Sequence, residues 1–208
     1  VGTIALAGSL QYLRGKLIDY RAVLLFGGPG MVGTYLGAWS ATLVPGIIQL
    51  ALFALVMLLA SWFMLRPPNL DDAQVRAPRA AWKIGLDGLI VGVLTGLVGV
   101  GGGFLIVPAL VLLGGLSMHK AVATSLVIIA LKSFTGFYKY LDVLHQQNLD
   151  LDWAAIGLVT VLGIGGSFFG NMLATRLPQK KLQNIFGVFL IVMGTYILAR
   201  SAPAALSL

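Results

Sequence analysis

The run from Lys83 to Leu116, KIGLDGLIVGVLTGLVGVGGGFLIVPALVLLGGL, decides how the rest of the chain is read. It is apolar enough for a membrane but longer than one crossing needs, since roughly 20 residues span about 30 Å of hydrocarbon. Gly99, Gly101, Gly102 and Gly103 fall within five positions. Each glycine in a helix interior costs roughly 1 kcal/mol against alanine, so the helix should break there. Pro108 adds a second weak point. The expectation is two half-helices, about Lys83 to Val98 and Phe104 to Leu113, meeting at the break. Broken backbone at membrane depth survives only inside protein or beside a water-filled cavity. The break is therefore the first place to look for a site.

The rest of the chain has the same character. Of 208 residues, 58% are apolar and 10% charged, against about 25% charged in a soluble domain. Mean hydropathy is +0.94. A soluble enzyme, a disordered chain and a disulfide scaffold are all excluded. The chain has no cysteine, which removes thiol catalysis and Cys-ligated zinc. His119 and His145 lack the i, i+4 spacing of a helical metal site. Four runs are long enough to cross: Ala22 to Leu43, Ile47 to Leu65, Ala121 to Leu141 and Trp153 to Thr175. Leu182 to Ala199 is just long enough, and Val1 to Leu13 is too short. No cleavable signal peptide is visible, and the chain opens with Val1 inside an apolar run. That leads us to expect a missing upstream segment. The expected division is a first repeat over 1–65, a cytoplasmic linker over 66–82, a second repeat over 83–200 and a tail over 201–208.

The chain also matches itself. At a constant offset of 133, Asp19 to Phe53 aligns with Asp152 to Phe186 in ten identical pairs. Among them are Asp19/Asp152, Gly30/Gly163, Gly33/Gly166, Gly37/Gly170 and Pro45/Pro178. Upstream, Gly8, Tyr12 and Leu13 match Gly136, Tyr140 and Leu141, and Thr3 answers to Thr124. The net charge of +7 points to membrane topology rather than nucleic acid, because the basic residues sit between apolar runs. With the loops at Arg14 to Arg21, Arg66 to Lys83, Lys120 and Arg176 to Lys181 inside, eleven of fourteen basic residues are cytoplasmic. The loop of Asp19 then lies inside and that of Asp152 outside, so the two halves are inverted. Inverted repeats with glycine-interrupted helices mark secondary transporters, with the site near the midplane. A membrane scaffold that duplicated without transporting is the competing account.

The motif Gly99-Val-Gly-Gly-Gly-Phe-Leu-Ile-Val-Pro, followed by Ala121-Val-Ala-Thr-Ser-Leu126, resembles the TauE/SafE sulfite exporter family of membrane permeases. The first half resembles the family from Val1-Gly2-Thr3 onward, with Ile4 where Ser is usual. The family's first glycine-rich segment is not in the chain. The resemblance implies an all-α polytopic membrane protein of two inverted repeats in the inner (plasma) membrane. It also implies export of a small sulfur-containing anion such as sulfite or a sulfonate, coupled to an ion gradient. The alternatives are a non-transporting membrane subunit and an anion channel.

An oxyanion in a membrane needs oriented donors, which a half-helix N-terminus supplies as free backbone N–H groups. Gly101, Gly102, Gly103 and Phe104 are the candidate cradle, against a plain small-residue crossing. Thr124 and Ser125 are candidate hydroxyl donors, with Thr3 as the repeat counterpart of Thr124. The bland account of both hydroxyls is back-bonding within the helix. Lys132 lies in the middle of its run. An intramembrane charge is a functional candidate by default, though snorkelling or a pairing with Asp87 would also explain it. The family commonly has Asn where Lys132 stands. Asp87 is a weak candidate for a coupling proton. Asn171, Thr95 and Gln49 read as helix-to-helix hydrogen bonds, and Trp39, Trp62, Trp82 and Trp153 as interfacial anchors. No nucleotide-binding or nucleophile-elbow motif is present. No catalytic residue, metal or cofactor is expected. The expected partners are a small anion, a coupling proton and the lipid bilayer, with a homodimer compatible.

Overall fold

A computed structural model describes residues 1–13, 15–41, 43–66, 80–98, 103–147 and 153–205. Side chains are described for 1–13, 15–41, 43–66, 80–98, 105–134 and 153–200. The chain is all-α among these residues. In order come α1 (Gly2–Leu13), α2 (Tyr20–Ala22), a π-helical turn (Val23–Gly27), α3 (Gly28–Ala41) and α4 (Gly46–Leu65). Then follow α5 (Ala81–Val98), α6 (Gly103–Leu112), α7 (Met118–Gln147), α8 (Trp153–Arg176) and α9 (Gln179–Ala205).

Five helices among the described residues are long and apolar enough to cross a membrane: Tyr20–Ala41, Gly46–Leu65, Ala81–Val98, Trp153–Arg176 and Gln179–Arg200. α7 adds 30 residues, about 45 Å at 1.5 Å per residue. The glycine-broken stretch divides close to where its sequence says it should, but unequally. The 18 residues of α5 rise about 27 Å, nearly a full crossing. Only the ten-residue α6 is a half-length helix. Gly99 to Gly102 lie outside the described residues.

Every residue of α6 from Leu105 to Leu110 is buried, Ile106 completely. It packs against α4 and α7. A short helix in lipid must be enclosed in this way, because its ends carry unpaired backbone groups. Its C-terminus turns through Gly115 at φ 68°, a left-handed conformation natural to glycine. The Leu116 N–H donates back to the Leu110 carbonyl at 3.0 Å.

Helices that correspond in the internal repeat pack on one another. α1 lies against α7, and α4 against α9. Gly2 faces Ser133 and Phe134 while Gly8 faces Leu126, so α1 and α7 run antiparallel. In the second pair, Ser61 Oγ donates to the Gly187 carbonyl at 2.8 Å and Gln183 Nε2 donates to the Met64 carbonyl at 3.0 Å. α4 and α9 are therefore antiparallel as well. α1 and α8 run parallel, with Ile4 on Gly163 and the Asn171 amide donating to Gln11 Oε1.

Among the described residues the closest approach is between α3 and α5, which run parallel. A Cβ on Gly33 would collide with the Leu89 carbonyl oxygen, one on Gly37 with that of Val93, and one on Gly92 with that of Gly30. Backbones meet because neither side has a side chain there, as in small-residue membrane interfaces. α8 carries the matching glycines of the second half and has no buried residue. Nothing lies within 4 Å of a Cβ on Gly166 or Gly170.

All four tryptophans are exposed and near helix ends, the placement of interfacial anchors. The Arg66 guanidinium stacks over Trp62 at 4.1 Å, and the Lys83 ammonium lies 5.6 Å from the centre of the Trp82 ring.

Candidate functional site

α7 organises the site. Residues 124, 128 and 132 are spaced by four and share one face of the helix. Each meets the first half of the chain in order. Thr124 accepts a hydrogen bond from the Asp19 backbone N–H at 3.0 Å. Ile128 Cγ1 would stand 3.4 Å from a Cβ on Gly27, and Lys132 Nζ 3.3 Å from one on Gly30. α7 therefore runs alongside and parallel to the Tyr20–Ala41 span.

Asp19 explains why that span starts where it does. Its backbone is extended and its carboxylate accepts from the Ala22 N–H at 2.9 Å, a standard N-cap. The cap's own N–H is satisfied from across the chain by Thr124. The π-helical turn follows at once and positions Gly27 and Gly28 beside Ile128 and Leu131, around a cavity of about 130 Å³. Single π-turns are frequent at functional places in helices. The sequence singles out Asp19 as a repeat partner and as the marker of its loop's side. Its position just before an apolar run was the available capping signal.

The expected site residues divide as follows. Thr124 and Ser125 are buried. Ser125 Oγ donates to the Val122 carbonyl at 2.8 Å, the local back-bonding named as its bland account. Thr124 instead accepts from Asp19, so its hydroxyl hydrogen remains a donor. Thr3 is exposed near the N-terminus of α1, away from Thr124. Gly2 faces Ser133, about 13 Å along α7 from Thr124. Gly103 opens α6, while Gly101 and Gly102 lie outside the described residues, as does the Phe104 side chain. Asp87 is partly buried on α5 and has an interaction of its own. Lys132 sits at the midpoint of α7, its Nζ closed off and without a hydrogen-bond partner among the described residues. It does not snorkel.

The remaining polar residues act between or within helices. Gln49 Nε2 donates to the Ala41 and Val44 carbonyls, both at 2.7 Å, closing the end of α3. Thr95 Oγ1 donates to the Gly92 carbonyl at 2.9 Å. The His119 ring lies 3.2 Å from the Ala174 carbonyl, joining the start of α7 to the end of α8.

In water this arrangement would leave Leu162, Phe169 and Leu173 of α8 and many other apolar side chains exposed. Lipid is the solvent that suits them, and the chain is a multi-pass α-helical membrane protein. It belongs to the sulfite exporter TauE/SafE family, whose model it matches over residues 1–197. A "Probable membrane transporter protein" of Xylella fastidiosa (strain 9a5c) is 31% identical, over 88% of this chain and 70% of that one. The "Probable membrane transporter protein YunE" of Bacillus subtilis (strain 168) is 32% identical, over 91% and 74%. A third, "Probable membrane transporter protein MJ0441" of Methanocaldococcus jannaschii, is 26% identical over 88% and 70%. No solved structure matches the chain. The family and these relatives make it a membrane transporter.

Proposed function

We propose that the chain is a secondary transporter that exports a small sulfur-containing anion, sulfite or a sulfonate, across the plasma membrane. The reading rests above all on α6. A ten-residue helix that begins at Gly103, directly after a glycine-rich stretch, and is buried from Leu105 to Leu110 is a costly structure unless its N-terminus has work to do. Free N–H groups and partial positive charge at that end suit an oxyanion. Thr124, with its hydroxyl hydrogen available, stands on the helix packed against α6.

The helix directions support an inverted pair of repeats. Counterpart helices pack antiparallel, as an axis perpendicular to the helices requires, and alternating access in such folds is a movement of one part against the other about a central site. On this reading the linker is cytoplasmic and Asp87 is the candidate for a coupling proton.

The test is sulfite and methanesulfonate flux in proteoliposomes, with and without an imposed pH gradient, for the chain and for Gly102→Leu. Saturable wild-type flux that responds to the gradient, lost in a Gly102→Leu protein that still inserts, is the expected result. Flux that never saturates and ignores the gradient would make the protein a channel. Absence of flux for any anion would make it a non-transporting subunit, and wild-type flux in Gly102→Leu would remove the cradle.

A further inference from the structure

Lys132 projects from the centre of α7 toward the crossing of α3 and α5. A Cβ on Gly30 would meet Lys132 Nζ at 3.3 Å, Cε at 3.5 Å and the Gly88 carbonyl oxygen at 3.1 Å. The hydrogen of Gly30 thus leaves the space in which the ammonium ends. Nζ is closed to solvent and has no hydrogen-bond partner among the described residues. An ammonium carries three donors and no acceptor, and an uncompensated charge in a protein interior is strongly destabilising. An anion beside it would supply the missing charge and accept its donors.

The charge available at this place is a single one. Among the described side chains every other lysine and arginine is exposed. Lysine presents a compact point charge, without the planar fork by which arginine holds two oxygens at once. Beside it along α7, Ile128 and Leu131 face Gly27 and Gly28 across an apolar-walled cavity of about 130 Å³ that Lys132 itself does not line.

We infer that Lys132 is the counter-charge for a small monoanion held where α3, α5 and α7 meet, so that the protein selects singly charged anions over dianions. The inference deepens the transport reading and rests on it for its physiological meaning, but the binding it describes is measurable without flux. The site joins the two halves of the chain, because α3 comes from the first and α5 and α7 from the second.

The experiment is thermal unfolding of the full chain in detergent, titrated with methanesulfonate or sulfate at fixed ionic strength, for wild type and Lys132→Met. Methanesulfonate should raise the wild-type midpoint saturably, and sulfate should raise it far less. Lys132→Met should lose the methanesulfonate shift and, with no anion present, melt at or above the wild-type temperature. A retained shift in Lys132→Met, or an anion-free variant that melts well below wild type, would overturn the inference, the latter by showing a lysine already paired inside the protein. ¹⁵N-lysine-labelled wild type supplies a second readout that needs no variant. One protected ammonium signal should move with methanesulfonate, and no movement overturns the proposal. Liposome flux separates this outcome from the fate of the transport reading. Binding without flux leaves Lys132 as an anion site and removes transport, whereas flux unchanged in Lys132→Met removes the site and leaves transport.

Discussion

Gly33 and Gly166 occupy equivalent positions in the internal repeat, yet only the first is covered. A Cβ at Gly33 would run into the carbonyl oxygen of Leu89, while one at Gly166 would meet nothing within 4 Å. Gly33→Ala should therefore force α3 from α5 and lower stability by about 1–3 kcal/mol, the usual range for overpacking. Gly166→Ala should be neutral or stabilising, by up to about 1 kcal/mol from helix propensity. Thermal melts followed by circular dichroism in detergent check this, and equal losses would mean that the two faces are equally occupied.

Thr124 and Asp19 supply a second contrast. Thr124→Val keeps the shape but orphans the Asp19 N–H, which should cost about 1–3 kcal/mol. Thr124→Ser keeps the acceptor and should recover most of that loss. Hydrogen exchange at the Asp19 amide should accelerate in the valine variant alone; unchanged protection would mean that the bond contributes nothing.

The two polar links between α4 and α9 should differ in weight. Ser61 donates to Gly187, a carbonyl inside α9. Gln183 donates to Met64 in the last turn of α4, where carbonyls lack helical partners. Ser61→Ala should cost about 0.6 kcal/mol, the mean for hydrogen bonds between membrane helices. Gln183→Leu should cost nearer the upper value of about 1.7 kcal/mol. Denaturation in sodium dodecyl sulfate ranks them, and the reverse order would contradict the end-capping role.

Leucines on α6 and α8 test which helices form the interior. Leu110 is 1% exposed and Leu162 66%. Leu110→Ala should cost about 2–5 kcal/mol through the cavity that it leaves. Leu162→Ala should stay within about 0.5 kcal/mol of wild type. The same unfolding assay decides; comparable losses would show that α8 is covered.

The broken segment was the most legible part of the sequence. Its sequence predicts half-helices at about Lys83 to Val98 and Phe104 to Leu113, and α5 and α6 run Ala81–Val98 and Gly103–Leu112. Glycine and proline act locally, so their effect can be read without knowing the neighbours. The ends of α7 were not legible. Apolar content stops near Leu141, but the helix continues to Gln147 because its hydrogen bonds do not require lipid. The link from Asp19 to Thr124 spans 105 positions and uses a backbone N–H, which no residue type announces. Burial of Thr124 and Ser125 followed from their place in an apolar run, as did the local back-bonding of Ser125, but the partner of Thr124 did not. The glycines of α3 and α8 look alike in sequence, so nothing there foretold that Gly33 and Gly37 are packed while Gly166 and Gly170 are bare.

The seam between α3 and α5 bears on where the molecule can bend. Carbonyls of each helix sit over glycines of the other, so neither slides or tilts without backbone striking backbone. The two therefore travel as one stiff strut. One of its members precedes the linker and the other follows it, so a hinge drawn along the division of the chain would have to tear the tightest joint in the structure. On the transport reading, any moving part would take α3 along with α5, and so with the second half rather than with the half that encodes it.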